Sequence, residues 1–170
     1  TNFGDITKNI ELSTKEKNVD IFVNNAGMAG KNTQVWNYPN DEWLKVMNLD
    51  LNSVFYCCKA IAPHMIKNNY GRIVNVASVA ASFGLPGITS YCASKFAMLG
   101  FSEGLKHELK GTGIGITVVS PIMVRTNFFD HPSFKNISKS GSELWDQIYE
   151  MDCKKELERL LYFLLKLLNF

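Results

Sequence analysis

Three short apolar runs, each stopped by turn residues and separated by long helical stretches, restrict this chain to very few folds. Ile21-Phe22-Val23 stops at Asn24-Asn25-Ala26-Gly27, Arg72-Ile73-Val74-Asn75-Val76-Ala77 stops at Ser78, and Ile116-Thr117-Val118-Val119 stops at Ser120-Pro121. Runs this short, rich in β-branched residues, read as buried strands. Ahead of the first, Phe3, Ile6 and Ile10 lie among polar residues as on a surface helix, with Asp5 in its first turn. Between the first and second, Asp41 reads as an N-cap. Trp43, Leu44, Val46 and Met47 follow, leading into an apolar stretch through Ile66, with a kink or a short second helix expected at Pro63. Between the second and third, a helix is predicted from about Ser90 to Lys110, ended by Gly111, Gly113 and Gly115.

Strands alternating with helices in this rhythm form βαβ units and a parallel sheet. The crossovers bring every strand's C-terminal end to one edge, and ligands bind at that edge. The predicted fold is therefore α/β, a doubly wound parallel sheet of Rossmann type. Its ligand edge gathers Asn24, Ser78 and Pro121, with Tyr91 arriving after the loop that follows Ser78.

Composition excludes several functions. The 170 residues are 46% hydrophobic and 20% charged, which suits a soluble domain and not a disordered chain. A formal charge of +2, with Lys and Arg scattered, gives no footprint for nucleic acid. Cys57, Cys58, Cys92 and Cys153 show no CxxC spacing, so no metal site is expected. Free thiols in a reducing cytoplasm are the simpler reading.

Tyr91 and Lys95 are four apart and share a helix face one turn from each other. An ammonium near a phenol favours the phenolate, so the Tyr91 pKa is expected to fall below its usual value of about 10. Such a tyrosine passes a proton to or from a carbonyl or alcohol, and a nearby serine hydroxyl holds the same oxygen. The Tyr-x-x-x-Lys spacing alone is common on helix surfaces, Ser78 alone is an ordinary turn residue, and Asn24-Asn25-Ala26-Gly27 alone is an ordinary turn. Their joint order, each beside its strand, is what distinguishes this chain.

From Thr1 to about Phe129 the sequence resembles the short-chain dehydrogenase/reductase family, with a flavour of 3-oxoacyl-acyl-carrier-protein reductases. Asn24-Asn25-Ala26-Gly27 matches the NNAG motif, Tyr91-Cys92-Ala93-Ser94-Lys95 matches YxASK, and Ser78 lies thirteen positions before Tyr91. The resemblance implies a nicotinamide-dependent oxidoreductase that interconverts a carbonyl and a secondary alcohol, using NAD or NADP. By the same resemblance Tyr91 is the general acid/base, Lys95 lowers its pKa and holds the nicotinamide ribose, and Ser78 polarises the substrate oxygen. Asn24, Ala26 and Gly27 line the adenosine side of the cofactor, while Val124 and Thr126 meet its carboxamide. A homo-oligomer built through two long helices is implied as well.

Three departures from the family pattern stand out. Asp50 falls where the family has an asparagine in the proton relay; the aspartate keeps an acceptor, loses a donor and brings negative charge near Lys95. It is read as a catalytic residue or as a residue shaping a helix bend. Ile122 replaces the glycine of a Pro-Gly pair and is expected to crowd the nicotinamide. The glycine-rich phosphate loop TGxxxGxG is not found in the sequence, and Thr1-Asn2 aligns with the end of a DVT motif. On that alignment the first three strands of the family fold precede Thr1. A catalytically inactive fragment that acts through another subunit is the alternative.

The expected organisation is a catalytic Rossmann-type part over residues 1–129, a variable substrate loop or lid over 130–152, and a leucine-rich helix over 153–170. The last contains Leu157, Leu160, Leu161, Leu164, Leu165, Leu167 and Leu168 but is interrupted by Lys166, and its uncharged run is too short for a bilayer. Packing on the sheet or on a partner subunit is the first reading, and a membrane-surface helix the second.

Overall fold

The computed structural model describes residues 3–121. Thr1 and Asn2, Ile122, Val124 and Thr126, the predicted lid and the leucine-rich helix lie outside the described residues. The elements run α1 (Phe3–Glu16), β1 (Ile21–Asn24), α2 (Asn40–Met47), a π turn (Asn48–Asn52), α3 (Ser53–Lys67), β2 (Gly71–Val76), α4 (Thr89–Glu108) and β3 (Ile114–Val119). Short 3-10 turns occupy Val35–Asn37 and Val79–Ala81. The three strands form one parallel sheet in the order β1-β2-β3, with Val23 opposite Val74 and Val74 opposite Thr117. This is the predicted α/β arrangement.

Side-chain alternation in β2 fixes which face the helices cover. Ile73 and Asn75 point the same way, and both meet α3 and α4. Ile73 packs in a core with Val54, Cys58, Ile61 and Met65 of α3 and Met98 of α4. Asn75 accepts from Asn24 Nδ2 of β1 at 2.8 Å and donates to Ser102 Oγ of α4 at 2.8 Å. Asn24 Nδ2 also lies 3.5 Å from Cys58 Sγ of α3. One polar chain thus ties two strands to two helices inside an apolar core.

The structure corrects three details of the sequence reading. Asp41 is not the N-cap of α2: Pro39 takes that place, and Asp41 sits in the first turn, paired with Lys45 at 3.2 Å. Pro63 does not divide α3, which runs unbroken through it. Burial of the neighbouring Ile61 and Met65, worth about 2 kcal/mol each, offsets the roughly 3 kcal/mol of a helix-interior proline. The long helical stretch is interrupted instead at the π turn around Asp50. Gly115 does not end α4 but lies in β3 opposite Arg72, whereas Gly111 and Gly113 form the turn with φ of 85° and 82°. At Gly113 a Cβ would come within 2.2 Å of the Asn69 carbonyl oxygen, so glycine is required there.

Candidate active site

β2 ends at Val76, and the chain turns outward through Ala77 and Ser78. Ser78 caps the following 3-10 turn, its Oγ accepting from the Ala80 N–H at 3.2 Å. Because Oγ is the acceptor in that bond, its own proton is left to donate elsewhere. The Gly/Pro loop then returns the chain to α4, whose first turns carry Tyr91 and Lys95. Tyr91 is 9% exposed, packed among Ala29, Ala80, Ile88 and Cys92, and its phenol is hydrogen-bonded with Ser78. The structure brings Ser78 and Tyr91 together as the sequence reading expected.

Lys95 is almost wholly buried, at 3% exposure. Its Nζ lies 5.4 Å from the Tyr91 ring centroid, donates to the Val76 carbonyl at 3.3 Å and stands 3.8 Å from Asp50 Oδ2. Asp50 is fully buried and comes from the π turn. A π turn adds one residue to the helical ladder and re-aims the side chains on it, and such turns recur at functional sites. Here it carries the carboxylate in beside α4. Oδ1 accepts from the Met28 N–H at 2.8 Å, and the Ser94 hydroxyl lies 3.2 Å from Oδ2 and 2.7 Å from the Tyr91 carbonyl. These donors favour the charged form of the carboxyl.

The NNAG segment divides its work. Asn24 is buried in the sheet network and holds β1 to β2, while Ala26 is exposed at the rim. Gly27 lets the backbone lie against the ion pair: a Cβ there would stand 3.3 Å from Lys95 Nζ and 3.5 Å from Asp50 Oδ1.

The electrostatics reverse one expectation. The Tyr91 pKa is not lowered; it is pushed up to about 12, first by burial and then by the nearby Asp50 and Cys92, against a lowering hydrogen bond from Ser78. Burial also pushes the Lys95 ammonium down, which Asp50 opposes, and pushes the Asp50 carboxyl up, which Lys95, Met28 and Ser94 oppose. The sequence reading set a negative charge near Lys95 through Asp50, but it did not weigh the burial that dominates the shift.

Several participants escaped the sequence reading. Ser94 lies between Tyr91 and Lys95 within the YCASK run, three after Tyr91, and that helical spacing was the available signal. The backbone groups of Met28 and Val76 have no sequence signal. Tyr38 is a further case: its hydroxyl takes a 2.7 Å hydrogen bond from Ser90 Oγ and a 3.2 Å bond from the Lys31 N–H, joining the loop after NNAG to the start of α4.

A family model described as short chain dehydrogenase matches residues 5–135. The chain belongs to that family. It is 34% identical over 166 residues to a 3-oxoacyl-(acyl-carrier-protein) reductase of Buchnera aphidicola subsp. Baizongia pistaciae, covering 97% of this chain and 66% of the relative. It is 39% identical over 112 residues to an NAD-dependent 2-dehydro-3-deoxy-L-rhamnonate dehydrogenase of Sphingomonas, covering 66% of this chain and 45% of the relative. Among solved structures, an NAD-bound xylitol dehydrogenase superposes with a TM-score of 0.71 at 30% identity, over 75% of this chain and 49% of the other. The chain thus spans between about half and two thirds of the length of such relatives. Among the described residues no helix is long and apolar enough to cross a membrane.

Proposed function

We propose that this protein is an NAD(P)-dependent oxidoreductase that interconverts a carbonyl and a secondary alcohol, with Tyr91 as general acid/base. The observation that carries the reading is the meeting of the Tyr91 phenol and the Ser78 hydroxyl at the C-terminal edge of a parallel sheet, backed by the buried Lys95. Tyr91 holds its proton at neutral pH, the form needed to give it to a carbonyl oxygen as that oxygen gains charge. Ser78, whose hydroxyl meets the phenol in the absence of substrate, turns its proton to the same oxygen and steadies the developing charge. When bound, the reduced nicotinamide supplies the hydride to the carbonyl carbon.

The donor set suits the nicotinamide end of the cofactor. Lys95 has three ammonium hydrogens, of which one meets Val76 and one faces Asp50, leaving one for a ribose hydroxyl. Exposed Ala26 and the backbone at Gly27 border the adenosine side, and Val124 and Thr126 are proposed for the carboxamide. No residue of this sequence is assigned to the pyrophosphate.

Similarity to 3-oxoacyl-(acyl-carrier-protein) reductases makes a 3-oxoacyl thioester the first substrate to try. Loss of reduced-nicotinamide absorbance in its presence tests the activity. Tyr91→Phe, which keeps the ring in its pocket, is expected to lower turnover about 1000-fold. Full turnover in a folded Tyr91→Phe protein would refute the mechanism.

A cytoplasmic homo-oligomer is proposed, supported by exposed Phe55 on α3 and Phe96 and Leu99 on α4. A second reading, function only when paired with another subunit, rests on β1: among the described strands it pairs with β2 alone, and Val23 is 47% exposed. Native mass spectrometry separates the two, since a chain found solely in hetero-complexes supports the second.

A further inference from the structure

We propose, resting on the oxidoreductase reading, that Asp50 is the fixed counter-ion of Lys95, a positioning residue that sets the pH at which Tyr91 gives up its proton. A lone ammonium 5.4 Å from the tyrosine ring would draw the phenol toward ionisation. This ammonium is not alone. The Asp50 carboxylate lies 3.8 Å from it, with the two side chains 0% and 4% exposed, so water does little to screen the pair.

The carboxylate is held there from two sides. The Met28 N–H fixes Oδ1 from the NNAG loop, and Ser94 fixes Oδ2 from α4, between Tyr91 and Lys95. The π turn supplies the direction of approach, and Gly27 leaves the room. Lys95 is meanwhile drawn toward the end of β2 by the Val76 carbonyl. At Tyr91 burial dominates, and the Asp50 charge adds to it by opposing ionisation of the phenol.

Among the described residues, the other groups that face the phenol do not take over this role. From α4 comes the Cys92 thiol, whose thiolate would oppose ionisation of the phenol as Asp50 does; from the end of β2 comes only the neutral Ser78 hydroxyl. From the loop after NNAG comes apolar Ala29, and the single ionisable group opposite Lys95 among the described residues is Asp50. A neutral side chain at position 50 therefore frees the ammonium to act on the phenol. Asparagine keeps the acceptor for the Met28 N–H and the shape of the site, while removing only the charge.

The test is an alkaline titration of phenolate absorbance on the intact chain without cofactor, with the same titration of Tyr91→Phe subtracted to isolate Tyr91. Asp50→Asn is expected to lower the Tyr91 midpoint by about one pH unit or more, and Asp50→Ser gives the same reading should the asparagine variant fold poorly. A midpoint moved by less than about 0.3 of a pH unit in the folded variant overturns the proposal. With a carbonyl substrate and cofactor, the basic limb of the kcat profile should shift toward acid by a like amount. If the native protein turns over no carbonyl substrate, the oxidoreductase reading fails, whereas the absorbance titration still decides the role of Asp50.

Discussion

Replacing Asn75 with alanine is expected to destabilise the fold by about 3 kcal/mol. The amide is fully buried and serves two partners at 2.8 Å, Asn24 and Ser102. Without it Asn24 Nδ2 keeps only a sulfur at 3.5 Å, and a buried donor so weakly satisfied costs about 1–2 kcal/mol. Ser102 still donates to the Met98 carbonyl at 2.7 Å, so its loss is nearer 1 kcal/mol. The void left by the missing amide adds roughly another 1 kcal/mol. Urea unfolding should show a midpoint lower by about 1–2 M with an unchanged slope. Adding Asn24→Ala should then cost less than it does alone, because the bond it serves is already gone. A loss below about 1 kcal/mol, or strict additivity of the two substitutions, would refute the idea that this polar chain couples strands to helices.

Gly27→Ala places a methyl 3.3 Å from Lys95 Nζ and 3.5 Å from Asp50 Oδ1, crowding the ion pair without touching the core. Stability should change by less than about 1 kcal/mol while turnover falls about 10-fold or more; unchanged kcat would count against the site as drawn. Alkaline pH should also weaken the fold. Cys58 and Tyr91 both have folded pKa values raised to about 12, from ordinary values of 9.0 and 10.0. Their contribution is complete below the ordinary values and is lost as pH climbs toward the raised ones, so urea midpoints at about pH 10.5 should report a stability lower by about 3 kcal/mol than at about pH 8. A flat profile across that range would mean these groups are not buried in solution.

How much of this was legible in the sequence depends on what each feature rests on. The strands announced themselves as β-branched runs, and α4 was placed to within a residue or two, since burial periodicity is a local property. Ser78, Tyr91 and Lys95 were singled out because they match family motifs in order, each beside its strand, and the structure brings the three close to one another. The π turn was visible only in part: Asp50 was read as one of two things, a catalytic residue or a residue shaping a helix bend, while Asn48 to Asn52 carries no proline or glycine and the clear breaker, Pro63, stands fifteen residues past its start. The direction of the Tyr91 shift was missed for a different reason. It rests first on burial of the phenol, which no spacing reveals, and only then on the charge of Asp50.

The π turn also sets a rule about length. Successive residues of an α-helix advance by about 100° around the axis. Removing one residue between Asn48 and Asn52 would let the ladder relax to ordinary α geometry with the helix beyond still in phase, because the wide turn absorbs that extra residue, while side chains within the turn would swing by up to that angle. Val54, Cys58, Ile61 and Met65 would keep their place on the sheet, but Asp50 would lose its aim at Lys95 and the Met28 N–H. Exposed Asn48 and Asn52 should accept many replacements, but the number of residues between them should accept no change. In this stretch of the protein, counting matters more than spelling.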